Sequence, residues 1–293
     1  MWVGPQGKII DVATLARSTT HWDERIARAR ELARAAPSAC EALTFYAALA
    51  EFQRSLFLTA GGTRHAESFA DAVDVDGAVA AVPGFLGWLK RTAPAALAES
   101  AATMRMDGSE WRSLLQHILS LEETAGGEAR AFVAEAVLQP FAEAAAIDRR
   151  GEGELRPQAP GVLTSRCPIC SDLPAVGTLR EEGQGARRTL VCGRCLTDWA
   201  YLRVVCASCG EDRFDALPVY TADAFPHVRI EACDTCKAYL KTIDLTRNGL
   251  AVPLVDDIAS VSLDLWAVDQ GYKRLRANLL RMAEPASTGI RRD

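Results

Sequence analysis

Four Cys-x-x-Cys pairs fall within seventy residues: Cys167/Cys170, Cys192/Cys195, Cys206/Cys209 and Cys233/Cys236. They take eight of the nine cysteines in the chain. A two-residue gap lets both sulfurs of a pair bend onto one ion, and two pairs together complete a tetrahedral tetrathiolate. Four pairs therefore imply two metal ions. A unit of about forty residues buries too little apolar surface to fold unaided, so the metal supplies folding energy.

Twenty-one residues separate Cys170 from Cys192, ten separate Cys195 from Cys206, and twenty-three separate Cys209 from Cys233. The two long gaps match and suit hairpins that return to close one site each. The simplest grouping is sequential, with the first two pairs on one ion and the last two on the other. A cross-braced grouping, first pair with third and second with fourth, stays open. All ligands are sulfur and no histidine neighbours them, so no open coordination position for hydrolysis is signalled. Iron and zinc both fit a tetrahedral sulfur cage. The ninth cysteine, Cys40, reads as a packed residue, and His117 as a core or boundary residue. No Ser-His-Asp or Cys-His arrangement, phosphate-binding loop or placed carboxylate pair appears, so an enzyme is not expected.

The chain divides into a helical domain at 1–150, a linker at 151–165, a first metal module at 166–200, a second at 201–250, and a C-terminal helix at 254–283 that packs on the rest. In the helical part, Ser38 with Glu41 and Asp107 with Glu110 have the spacing of capping boxes. Leu43, Tyr46, Leu49, Phe52 and Leu56 recur at helical spacing, as do Trp111, Leu114, Leu115 and Ile118. A further helix is expected at 127–149, with Pro140 inside it. Short strands are expected beside the cysteine pairs, at 189–192, 199–205, 228–232 and 239–245. Beyond Pro253, Ile258, Val261, Leu265, Val268, Tyr272, Leu275 and Leu279 form one stripe. Asp256 and Asp257 sit at its start, where the helix dipole favours negative charge. Such a stripe packs on the chain itself or forms a homodimer seam.

Residues 1–17 lack the apolar core of a secretory leader. The most apolar stretch, 78–89, is interrupted by Pro83 and Gly84 and is shorter than the roughly 18 residues of a membrane helix. No membrane insertion is expected, and regular thiol pairs point to the reducing cytoplasm. The net charge is -5, and between residues 161 and 245 ten Arg and Lys face eleven Asp and Glu. A phosphate-binding surface wants a basic face, so nucleic acid is not an expected partner.

At the cysteines the sequence resembles the FdhE family of formate dehydrogenase accessory proteins. The residues that carry the likeness are Arg166-Cys167-Pro168-Ile169-Cys170, Leu190-Val191-Cys192-Gly193-Arg194-Cys195 with Asp198-Trp199, and Leu202-Arg203-Val204-Val205-Cys206-Ala207-Ser208-Cys209. They continue with Ile230-Glu231-Ala232-Cys233-Asp234-Thr235-Cys236, Tyr239-Leu240-Lys241, and Asp256-Asp257-Ile258-Ala259-Ser260 through Gly271-Tyr272. The likeness runs over 166–274, and the N-terminal half matches mainly in being helical. It implies an α+β multidomain chain: a helical bundle, two small rubredoxin-like (zinc-ribbon-like) β-hairpin modules, and a C-terminal helix. It also implies a cytoplasmic assembly factor acting on the catalytic subunit of respiratory formate dehydrogenases before export. Rubredoxin-like knuckles favour Gly after the second cysteine. Only Gly210 follows that rule here; Ser171, Leu196 and Lys237 depart from it.

Two other readings compete with a maturation factor: a zinc-ribbon nucleic-acid protein, disfavoured by the charge balance, and a rubredoxin-like electron carrier, which requires iron. For a binding protein, Asp234 and Thr235, between two ligands, are the expected partner contacts. Asp198, Tyr201 and Arg203 lie on the connection between the modules, where Trp199 reads as core.

Overall fold

The computed structural model describes residues 12–61, 66–121, 127–151 and 164–281. The first part is helical: α1 (Val12–Ala35), α2 (Cys40–Thr59), α3 (Phe69–Ala72), α4 (Val75–Thr92), α5 (Ala95–Thr103), α6 (Gly108–Leu119) and α7 (Glu128–Gly151). Leu49, Phe85, Leu89, Leu115, Val133 and Val137 are fully buried at the centre of this bundle. α4 and α7 run through Pro83 and Pro140. No helix among the described residues is long and apolar enough to cross a membrane. His65 and residues 152–163, which make up most of the expected linker, lie outside the described residues.

The two expected capping boxes part company. Asp107 accepts the amide of Glu110, and Glu110 returns to the amide of Asp107, closing a full box. At the other site a 3-10 turn (Pro37–Ala39) runs directly into α2, and Ala39 is the cap. Ser38 lies inside that turn and caps nothing. Cys40, expected to be packed, opens α2 on its solvent side and is exposed. His117 is likewise exposed, because the buried face of α6 is taken by Trp111, Leu115, Ile118 and Leu119.

The second part contains β1 (Pro174–Glu182), β2 (Gly185–Cys192), β3 (Asp198–Ala200), β4 (Val219–Thr221), β5 (Val228–Ala232) and β6 (Ala238–Asp244). Then follow α8 (Pro253–Ala259), α9 (Val261–Asp269) and β7 (Lys273–Arg274). The strand order is β3-β2-β1-β6-β5-β4, with β7 paired to β6. Most pairs are antiparallel, but β1 and β6 run parallel, so the two hairpin units join into one mixed sheet. β1, the longest strand, is absent from the sequence expectation. Its first six residues are all buried, so the polar-apolar alternation that marks a half-exposed strand is missing.

Strand register sorts the side chains onto two faces. On one, Leu190, Trp199 and Leu240 meet Ala142 and Ala146 of α7. On the other, Ile230 and Tyr239 pack with Ala267 and Tyr272. α8 also closes on the helical part, where Val255 and Ile258 share a cluster with Trp22, Ile26, Leu43 and Tyr46.

The single C-terminal helix expected over 254–283 does not form. It breaks at Ser260 (φ -99°, ψ 31°) and stops before Gly271 (φ 84°); residues 282–283 lie outside the described residues. The reason is a buried lysine. Lys241, central in β6 and fully buried, donates to the Asp257 carbonyl (2.6 Å) and to the Asp264 carboxylate (2.5 Å), with Asp257 Oδ1 at 3.0 Å. The Ser260 hydroxyl turns back to the Asp256 carbonyl at 2.8 Å. Backbone groups at the break are thus satisfied by side chains, not by a continuing helix. Leu265 consequently lies 60% exposed, and the stripe is interrupted between α8 and α9.

Arg274 completes the network, donating to Asp257 (2.5 Å) and Asp264 (2.8 Å). Next to it, Asp256 accepts from Arg28 of α1 (2.6 Å) and meets His227 Nε2 at 2.8 Å. Asp256 and Asp257 were expected only as helix-start charges; they instead hold three parts of the fold together. Burial opposes ionisation of both, but the His227 and Arg28 bonds outweigh it at Asp256, and Arg274 and Lys241 outweigh it at Asp257. Both carboxyls are held below the ordinary aspartate range.

Two outcomes follow. Lys241→Met leaves Asp257 and Asp264 short of a buried partner and should cost about 3–5 kcal/mol, read as a lowered urea midpoint. A carboxyl whose folded pKa is depressed stabilises the fold above its unfolded pKa, and this is lost as pH falls through the folded value. The urea midpoint should therefore drop on acidification below about pH 4, and drop less steeply in Asp257→Asn.

Candidate metal centres

The four Cys-x-x-Cys pairs sit in four turns of the same design. Cys167–Cys170 precedes β1, and Cys192 ends β2 with Cys195 in the turn toward β3. Cys206–Cys209 lies between β3 and β4, and Cys233–Cys236 joins β5 to β6. In each turn the amide of the first cysteine donates to the carbonyl five residues on: Cys167 to Asp172 (2.9 Å), Cys192 to Thr197 (2.9 Å), Cys206 to Glu211 (2.8 Å) and Cys233 to Ala238 (2.9 Å). The amides of Ile169, Arg194 and Ser208 point at the sulfur of the first cysteine in their turns, at 3.3–3.4 Å.

The residue after each second cysteine is left-handed: Ser171 (φ 59°), Leu196 (φ 58°), Gly210 (φ 78°) and Lys237 (φ 57°). The glycine departures read from the sequence do not change the turn. Three side-chain-bearing residues adopt the conformation at a cost of roughly 1–2 kcal/mol each.

These turns bring the sulfurs together in two quartets, Cys167/Cys170/Cys192/Cys195 and Cys206/Cys209/Cys233/Cys236, each with all sulfurs within 4.8 Å of one another. The sequential grouping is the one found. Across the first quartet Cys167–Cys195 is 3.5 Å and Cys170–Cys192 is 3.3 Å; across the second, Cys206–Cys236 and Cys209–Cys233 are both 3.7 Å. A tetrahedron of zinc–sulfur bonds has edges of about 3.8 Å. The second quartet matches that spacing and the first is slightly tighter, so the donor sets fit a four-coordinate ion.

The surroundings of the two quartets differ. All four sulfurs of the first are buried. Arg276 lies over its second turn, anchored on Asp172 (2.9 Å), and Gly193 admits it: a Cβ there would come within 2.4 Å of the guanidinium. Gln139 of α7 donates to the Gly193 carbonyl at 3.1 Å, tying the bundle to the quartet. Buried Arg194 also faces Asp172, at 3.7 Å. Two cations beside four sulfurs offset the negative charge that a tetrathiolate carries. Of these residues only Gly193 and Arg194, inside a Cys-x-x-Cys pair, were within reach of sequence inspection.

In the second quartet Cys206 and Cys233 are buried, whereas Cys209 and Cys236 reach the surface. Asp234 and Thr235, the expected contact residues, are exposed beside Cys236, but both are engaged. Asp234 accepts from Lys237 (2.6 Å) and Tyr272 (3.0 Å), and Thr235 donates to Glu211 (2.6 Å). That bond and the Arg213 amide hold the Glu211 carboxyl down at about 2. Trp199 is buried, as expected, and donates to the Thr164 carbonyl (3.0 Å). Tyr201 is buried too and spans from the first unit to the second, donating to the Cys206 carbonyl at 3.2 Å. Asp198 and Arg203 are exposed.

Against known proteins, residues 204–281 match the family model described as "FdhE, C-terminal domain". The "Protein FdhE homolog" of Aquifex aeolicus (strain VF5) is 43% identical over 116 residues, 39% of this chain and 41% of that protein. The Pseudomonas aeruginosa homologue is 35% identical over 119 residues, 39% of this chain and 38% of that protein. The chain thus spans about two fifths of the length of these curated relatives. The crystal structure of the FdhE protein from Pseudomonas aeruginosa superposes with a TM-score of 0.70 at 23% identity, over 88% of this chain and 95% of that one. At that identity the superposition establishes the shared α+β fold. The C-terminal part of the chain is thus similar to the C-terminal domain of the FdhE family.

Thiol accessibility supplies a direct check on the two environments. In the metal-loaded protein pulsed with iodoacetamide, Cys209 and Cys236 should be alkylated well before Cys167, Cys170, Cys192 and Cys195, as read by peptide mass spectrometry.

Proposed function

We propose that this protein is a cytoplasmic maturation factor that binds the catalytic subunit of a respiratory formate dehydrogenase and is needed for its activity. It acts by binding and not as an enzyme. The observation that carries this reading is the coincidence of an FdhE C-terminal domain at 204–281 with two complete sulfur quartets. Each quartet offers four thiols and no other donor, the set that closes a coordination sphere.

Iron or zinc is the ion these donors would take. Cys167, Cys170, Cys192 and Cys195 would hold one, and Cys206, Cys209, Cys233 and Cys236 the other. When bound, the metal would cross-link the paired turns through their sulfurs, and iron would add the capacity to carry one electron. The protein's own residues do the rest. Left-handed Ser171, Leu196, Gly210 and Lys237 aim the sulfurs inward, and the amides of Ile169, Arg194 and Ser208 stabilise sulfur charge. Asp234 and Thr235, exposed beside Cys236, are the proposed partner contacts. Nucleic acid is the less supported partner, since the metal-binding part has no cationic excess.

The experiment is a tagged pull-down from the native host grown with formate under low oxygen, together with metal analysis of the purified protein. The expected result is recovery of a formate dehydrogenase catalytic subunit by wild type and its loss in Cys206→Ser or Cys233→Ser. Each of these variants should also fall from two metal ions per chain to one. Full metal content in either would remove the ligand assignment. Recovery of ribosomal or transcription proteins with nucleic acid would replace the maturation reading.

A further inference from the structure

The sheet carries one feature that metal binding does not use. The face that packs on α7 at one end is open at the other, above β1, β2 and β5. There the connection after β3 and the 3-10 turn Phe214–Ala216 border a cavity of about 160 Å3. Val204, Phe214, Leu217 and Val219 form its apolar rim. Phe214 is 83% exposed, Val219 53% and Val204 48%, so three of the large apolar side chains this molecule shows to solvent converge on one spot. Isolated exposed apolar residues are ordinary, whereas a contiguous group rimmed by charge marks an interaction site.

The charge of that rim is one-sided. Arg188, Arg203 and Arg229 line the cavity against a single carboxylate, Glu231. Arg188 is occupied by Glu231 at 2.5 Å and by the Leu202 and Val205 carbonyls. Arg229 is paired with Asp244. Arg203 is exposed, and among the described residues no hydrogen bond or ion pair engages its side chain. The site therefore offers an apolar recess with an uncommitted guanidinium at its edge. An apolar side chain with a neighbouring carboxylate complements both, since arginine binds carboxylates bidentately. β4, at the edge of the sheet, borders the recess through Val219 and has a neighbouring strand on one side only.

We infer that the recess bounded by Val204, Phe214 and Val219, with Arg203 at its rim, is the docking surface for the formate dehydrogenase catalytic subunit. It would receive a surface segment that presents an apolar side chain next to an aspartate or glutamate. The inference rests on the maturation reading above and extends the Asp234–Thr235 contact to the recess beside it. Phe214 and Val219 lie between Cys209 and Cys233, and the Asp234 amide donates to the Ala216 carbonyl at 2.8 Å, so the recess adjoins the second quartet.

The test measures binding of the purified catalytic subunit to the purified full-length, metal-loaded protein by biolayer interferometry. Wild type is compared with Phe214→Ser, Arg203→Glu and the control Leu265→Ser. Leu265 is also highly exposed but lies on α9, which covers the opposite face. All three sites are solvent-facing, and unchanged thermal melts and metal content would show that the variants fold. Phe214→Ser and Arg203→Glu should each weaken binding by about tenfold or more, as expected of central contact residues, with Leu265→Ser unchanged. Raising salt should weaken wild type toward Arg203→Glu while leaving the Phe214→Ser deficit in place. If wild type binds and both recess variants bind equally well, the surface assignment is overturned and the maturation reading stands. If wild type does not bind, both fall. If the recess variants instead convert a dimer of the chain alone to monomer in sedimentation, the occupant is a second copy and the assigned partner is wrong.

Discussion

A lysine ammonium buried at the centre of a sheet must be matched by anions, and the way this chain meets that requirement shapes much of the molecule. Lys241 reaches Asp257 and Asp264, and Arg274 reaches the same two carboxylates, so two cations and two anions form a neutral cluster. To supply those carboxylates α8 and α9 must lie across the sheet with a break between them at Ser260. Neighbouring Asp256 extends the connection to Arg28 of the helical part and to His227 beside β5. One polar cluster thus orients the sheet, the two short helices and α1 relative to one another. Burying ions is costly compared with apolar packing, but leaving one without its partner costs more. The arrangement therefore favours one geometry over its alternatives.

The opposite face of the sheet is organised by sulfur. Four turns with one hydrogen-bond pattern hold eight cysteines in two quartets, and the pattern survives at three positions where a side chain opposes the left-handed backbone. The turns are equal, yet their settings are not. α7, Gln139 and Arg276 enclose the first quartet, so its four sulfurs are shielded from solvent. Among the described residues nothing comparable covers Cys209 and Cys236. The second quartet is thus reachable from solvent where the first is not.

Much of the site was legible in the sequence because Cys-x-x-Cys spacing acts locally. Two residues between thiols specify the turn, and matched gaps of twenty-one and twenty-three residues favour the sequential grouping that the structure shows. The Asp107–Glu110 cap was legible for the same reason, since both bonds close within one helical turn. Ser38 misled because its cap competes with a 3-10 turn begun by Pro37. β1 escaped notice because a strand buried along most of its length shows no alternation, and the C-terminal stripe misled because periodicity is blind to a lysine arriving from another strand.

The sequence by itself determined the four Cys-x-x-Cys pairs, the helical character of the first half and the FdhE likeness, all of which depend on residues near one another in the chain. Only the tertiary structure decided that β1 and β6 pair in parallel to merge both units into one sheet. It also decided that Asp256 and Asp257 are buried ligands of distant cations, and that one quartet is sealed while the other is open. Those outcomes depend on contacts between residues far apart in sequence, such as Arg28 with Asp256 and Gln139 with Gly193. No local pattern encodes such pairings, because the free energy that selects them exists only once the elements have packed.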